Sequence, residues 1–214
     1  MSPLFARLFS AVIATLLLAG CATSYVDPQY KNASIADLKR PAAPQRVVLT
    51  VEFQTNGSPN SFATNMLRDK AEQALTRSGT VQVAATADAA DASRIHIVMN
   101  NVADMGDAVA KGFSTGLTFG LVGSLVTDGY TFDASYTPAN GKPIARHYEH
   151  AIYSTVGNKE GPAGLTPLSP TQAFEQVVLE LVTAFLKDLQ AEGQLTQLKH
   201  DAASLQTALL HELM

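Results

Sequence analysis

Residues 112–116 read Gly-Phe-Ser-Thr-Gly, the G-x-S-x-G spacing that raises a serine hydroxyl on a strained strand-to-helix turn, with Ser114 as nucleophile. That chemistry also needs an acid and then a histidine further along, and Asp128 or Asp133 and then His147 or His150 follow in the required order. It needs a strand running straight into the turn as well, and the upstream residues MGDAVAK do not form one. Five-residue matches arise readily where glycine and serine are dense, so a serine hydrolase is the alternative reading and no catalytic residue is expected. His147 and His150 resemble a metal pair only on paper, because residues three apart on a strand point to opposite faces. His147 and Glu149 share a face, but two ligands fall short of the three or four of a zinc site. His200 and His211 lie near one helical face, about 16 Å apart along its axis. With no cofactor fingerprint, phosphate loop or cysteine-based metal motif, neither a metal nor a cofactor is expected.

The chain has one cysteine, Cys21. Ahead of it stand Arg7 and an uncharged, mostly apolar run from Leu8 to Gly20. Such a run suits the core of a secretion signal, about 7 to 15 residues, and is short of the roughly 20 that span a bilayer. Its end, Leu18-Ala19-Gly20-Cys21, resembles the lipobox of bacterial lipoprotein precursors. The resemblance implies cleavage before Cys21, a diacylglyceryl group on its sulfur and acylation of its new amine. Several acyl chains, each buried methylene contributing about 0.8 kcal/mol, make a firm membrane anchor. Residue 22 is alanine rather than aspartate, which in bacteria with two membranes is similar to the pattern of lipoproteins sent to the outer membrane. The expected place is therefore the periplasmic face of that membrane. With its one thiol consumed, the mature chain has no internal disulfide and must stand on its core.

Without residues 1–20 the chain carries 14 basic and 19 acidic side chains, a net charge of −5. That balance argues against nucleic acid, which wants a basic face. Hydrophobic residues make up 46% of the sequence, enough for a real core and too many for general disorder. Residues 21–45 are polar, alanine-rich and hold three prolines. They read as a flexible tether after the lipidated cysteine, with an r.m.s. span of roughly 25–29 Å.

Residues 46–192 read as one α+β domain, with helices on one face of a mostly antiparallel sheet. Strands are predicted over 47–54, 81–84 and 93–101, the last with Ile95, Ile97 and Met99 alternating with His96, Val98 and Asn100. A helix over 61–78 brings Phe62, Met66, Leu67, Ala74 and Leu75 near one face and stops at Gly79. A hairpin over 130–154 closes on Asn140-Gly141 through a two-residue turn. This register sets Ser135 opposite Arg146 and Phe132 opposite Glu149, with an Asp133–Arg146 ion pair across the diagonal. Ser169 caps and Pro170 opens a helix to Glu192, whose stripe of Phe174, Val177, Val178, Leu181, Phe185 and Leu189 needs a sheet to cover.

Two segments are candidate surfaces. Residues 112–127 carry no charge and place Gly112, Gly116 and Gly120 at helical intervals, with Gly123 close by. On a helix these would leave a bare groove for another backbone, but about 24 Å of helix is short for a bilayer. Shallow membrane contact or self-association is expected there, beside the plainer reading of a buried connection. Together with the lipobox, and in these two features alone, the pattern resembles the curli-secretion lipoprotein, whose subunits contribute strands to a pore. Over 193–214 a last, amphipathic helix is predicted, in which Leu195, Leu198, Ala202, Leu205 and Leu209 follow a 3-4 rhythm for about two heptads. Their stripe either packs on its own domain or receives a partner. The sequence thus points to a non-enzymatic, lipid-anchored envelope protein that binds or assembles with other envelope components or with copies of itself.

Overall fold

A computed structural model describes residues 22–85, 92–102, 125–155 and 160–195. Its strands are β1 (Thr23–Val26), β2 (Gln45–Thr55), β3 (Ser58–Pro59), β4 (Val81–Val83), β5 (Ser93–Val102), β6 (Leu125–Thr137) and β7 (Ile144–Thr155), and its α-helices are α1 (Ser61–Ser78) and α2 (Pro170–Ala191). The strands form one sheet in the order β1-β7-β6-β5-β2-β3, with β4 beside the start of β2. The fold is α+β as expected, but the sheet is mixed. β2 runs parallel to both β4 and β5: α1 returns the chain to the start of β2 for β4, and β5 begins at the level where β4 ends, opposite Val47.

Alternation builds the core. Val47, Leu49, Val51 and Phe53 of β2 lie beside Ile95, Ile97 and Met99 of β5, and these lie beside Phe132, Ala134 and Tyr136 of β6. All are buried, with the stripe of α2 and Leu67, Ala71, Ala74 and Leu75 of α1 laid over them. Each fully buried side chain of this size contributes about 1.5–3 kcal/mol. The α2 termini follow the sequence closely. Ser169 and Gln172 form a reciprocal capping box, with Gln172 N–H to Ser169 Oγ at 3.3 Å and Ser169 N–H to Gln172 Oε1 at 3.0 Å. At the other end Gly193, at φ 76°, donates to Gln190 O, and Gln194 N–H reaches Leu189 O at 2.9 Å, which satisfies the last carbonyls.

Three expectations need correction. First, neither Asn140 nor Gly141 takes positive φ; the turn closes by Gly141 N–H to Pro138 O at 3.2 Å. The register therefore slips by one, to Ser135↔Ala145, Ala134↔Arg146, Asp133↔His147 and Phe132↔Tyr148, and Arg146 pairs with Glu192 instead of Asp133. The two-residue turn with both central residues at positive φ is Asn56-Gly57, at 49° and 76°, closing β2 on β3. Second, Phe62 is 76% exposed. The buried face of α1 runs Leu67, Ala71, Ala74, Leu75 and Ser78, and a residue five before Leu67 lies about 140° off that face at 100° per residue.

Third, residues from Thr23 onward are not a tether. β1 pairs with β7, and the chain then passes through 3-10 turns at Pro28–Tyr30 and Ile35–Asp37 before β2. Leu38 is buried, Lys39 N–H donates to Gln190 Oε1 at 3.0 Å, and Arg40 lies against Gly79. This segment straps the far ends of both helices.

Candidate functional site

The chain enters the fold at β1, whose Thr-Ser-Tyr-Val sequence favours extended backbone. One edge pairs with β7 from Thr23↔Thr155 to Val26↔Ile152. On the other edge Ser24 and Leu168 exchange both backbone hydrogen bonds at 2.9 Å. Asp27 fixes the end of the strand. Its carboxylate accepts from Gln29 N–H at 2.9 Å and from the Tyr153 hydroxyl at 2.7 Å. Burial, and donation to the Asp27 carboxylate, push the Tyr153 phenol well above its ordinary value. Tyr25, Ala151, Tyr153 and Leu165 form a small apolar cluster on the face away from the helices. Gly161 lies so close to the Tyr25 ring that a Cβ there would clash with it. Ala22 therefore emerges from a strand held on both sides.

By register, β1 and β6 begin at one end of the sheet, where β2, β5 and β7 finish. The Asn56-Gly57 turn and the first turns of both helices stand at this end too. Asn60 Nδ2–H donates to Thr55 Oγ1 at 3.3 Å, and Leu168, bonded to Ser24, leads into the α2 cap.

The face of the sheet opposite the helices is polar along its middle. A shallow groove of about 240 Å³ runs between His96, Val98, Asp133, Ser135, Ala145 and His147. Thr50 Oγ1 and His96 Nδ1 are 2.9 Å apart, His147 Nδ1 and Asp133 Oδ1 are 2.7 Å apart, and Glu149 stands 3.8 Å from His147 Nε2. The hydrogen bond to Asp133 raises the His147 pKa above its ordinary value. On the helix-facing side His150 is fully buried, and its Nε2 lies 2.8 Å from Glu180 Oε2. Among the described residues no three potential ligands converge to hold a metal ion, and no helix is long and apolar enough to cross a membrane.

Cys21, Ser114, Gly112, Gly116, Gly120, Gly123, His200, His211 and the C-terminal Leu198, Ala202, Leu205 and Leu209 lie outside the described residues. Leu195 is described, and it is buried in the domain's own core, so the first position of the expected partner stripe is already occupied. The acid-histidine part of the hydrolase alternative is present as Asp133–His147, with both side chains more than half exposed. Sequence reasoning missed Tyr25, Asp27 and Tyr153, although Thr-Ser-Tyr-Val ended by Asp-Pro is a short strand signal. It also missed Glu180, whose signal was a lone acid inside the apolar run Val177–Leu186.

No protein-family model matches the chain, and no curated protein is similar to it. Among solved structures it is similar to a minor lipoprotein from Acinetobacter baumannii, at 13% identity and a TM-score of 0.38 over 69% of this chain and 94% of that one. It is also similar to a Xanthomonas campestris protein from a domain family of unknown function, at 16% identity and a TM-score of 0.39 over 73% and 96%. A third is PelC from Paraburkholderia phytofirmans, a dodecamer, at 16% identity and a TM-score of 0.32 over 72% and 94%. Likenesses of this size decide neither fold nor function.

Proposed function

We propose that this chain is a non-enzymatic bacterial lipoprotein, anchored through lipidated Cys21 on the periplasmic face of the outer membrane, where it binds or assembles with other envelope components. The observation that carries the structural part is the start of β1 at Thr23, two residues after Cys21, bonded on both edges. Two extended residues reach only about 7 Å, so the lipid holds the folded body against the bilayer instead of on a slack tether. The glycine segment is the candidate for membrane or self-contact. It joins the sheet at Leu125, opposite Thr155, which is itself opposite Thr23. The C-terminal stripe beyond Leu195 remains the candidate for a protein partner. Cys21→Ser tests the anchor: the mature protein is expected to lose its acyl mass and leave the membrane fraction. Unchanged mass and partition would overturn it.

The Asp133–His147 contact supports the hydrolase as a second reading. It requires labelling by a fluorophosphonate probe that disappears in Ser114→Ala, and an unlabelled native protein would remove it.

A further inference from the structure

We propose that the end of the sheet where β1 begins, poor in charge among the described residues, is the face this protein lays on the bilayer, with Phe62 entering the headgroup layer; this rests on the lipid attachment at Cys21 proposed above. The first support is where the remaining chain leaves the structure. Ala22 precedes a fixed strand, so any lipid on Cys21 brings this end, and no other, to the membrane surface.

Charge is the second support. The mature chain is acidic, and anionic headgroups repel acidic side chains held within a Debye length. Residues 53–67, from the end of β2 through the Asn56-Gly57 turn into α1, carry no charged side chain, and neither do residues 161–174 leading into α2. By register, Asp128 stands level with Val26 and Asp27 one residue further from Ala22, so two carboxylates lie within a few residues of this end, and Glu160 directly precedes the second uncharged stretch. The opposite end carries Lys39, Arg40, Arg77, Lys142, Lys187 and Glu192. Serine, threonine, asparagine and proline are abundant in residues 53–67 and 161–174, and these meet headgroups at little electrostatic cost.

Phe62 is the third support. Among the described residues it is the large hydrophobic side chain left exposed. It sits in the first turn of α1, off the buried stripe, and α1 begins at this same end. An exposed aromatic ring beside a lipid-anchored terminus suits partition into the membrane interface. β6 extends from Tyr130, in register with Asn101 and Thr55, to Leu125. The β1 edge is therefore the taller one, and the strands must incline for Phe62 to touch as well.

The test uses the full-length lipidated protein in phosphatidylethanolamine/phosphatidylglycerol vesicles. Single variants Phe62→Cys, Thr166→Cys and Lys142→Cys carry an environment-sensitive fluorophore, and doxyl lipids act as the quencher. The thiol of lipidated Cys21 is consumed, so each label is unique. Quenching is expected to be several-fold stronger at positions 62 and 166 than at 142. Equal quenching at all three, or stronger quenching at 142, overturns the assignment. In a second arm Phe62→Asp, added to Thr166→Cys, is expected to lower quenching at 166 about twofold, and no change would remove Phe62 from the contact. Protein that fails to float with vesicles and lacks acyl mass would instead overturn the anchor itself, a distinct readout.

Discussion

His147 and His150 stand three residues apart on β7, and each meets a carboxylate, yet the sheet divides them completely. His147 projects from the open face, with its side chain 54% exposed beside Asp133. His150 is fully buried between α2 and the ring of Tyr30, whose centroid is 5.2 Å away. Ala151 N–H points at His150 Nδ1 from 2.8 Å, which places the ring proton on Nε2, facing Glu180. Gln176 Nε2–H donates to the other Glu180 oxygen at 2.8 Å, so the buried acid is supplied with donors on both sides. The lesson is that solvent access, not the identity of the pair, sets its weight. An exposed pair is close to neutral, whereas half of a buried pair is an uncompensated polar group.

The largest expected effect lies on the buried side. Glu180→Ala leaves both the His150 N–H and the Gln176 amide without their acceptor and is expected to cost about 3 kcal/mol in urea unfolding. The double variant His150→Phe/Glu180→Leu is expected to lose less than the two single changes added together, since both partners become apolar. Strict additivity would mean that the pair is not coupled. Next comes Tyr153→Phe, which strips a hydrogen bond from buried Asp27 and should cost about 1–3 kcal/mol. Hydrogen exchange should quicken in β1 before it does so in β5 if Asp27 secures the edge strand. Ser169→Ala removes a helix cap and is expected to cost about 1 kcal/mol.

These differences also mark what could be read from the sequence. The boundaries of α1 were legible because Asn60 and Gly79 bracket it, and those of α2 because Ser169, Pro170 and Gly193 do. Strand alternation placed Ile95, Ile97 and Met99 inside and His96 outside, as observed. The β6–β7 register was not legible. Asn140-Gly141 offers the same dipeptide as Asn56-Gly57, and only the closure on Pro138 separates the two turns. Parallel pairing of β2 with β5 is decided by the chain's path, which no local pattern encodes. β1 was hidden because four residues beside a proline-rich stretch carry too little periodicity. Its stability comes from Tyr153 and Leu168, more than 125 residues away. The lipobox pattern ending at Cys21 was legible as a motif, whereas the paired strand that begins at Thr23 was not.

The smallest expected effect belongs to the exposed pair, and it has a definite sign. Because Asp133 raises the His147 pKa, the pair adds stability that is fully present below the ordinary histidine value of about 6.5. That contribution is lost as pH rises through the raised value. Glu175 behaves in the opposite sense: Lys70, with help from Arg77, lowers its pKa. Its contribution is present above the ordinary carboxylate range and lost as pH falls through the lowered value. Asp133→Asn is therefore expected to bring the His147 NMR titration midpoint down toward about 6.5. It should reduce stability at pH 5 by no more than about 1 kcal/mol and leave stability at pH 9 unchanged. A loss that persisted at pH 9 would mean that Asp133 supports β6 through something other than the imidazolium. An unmoved midpoint would mean that the pair does not form in solution.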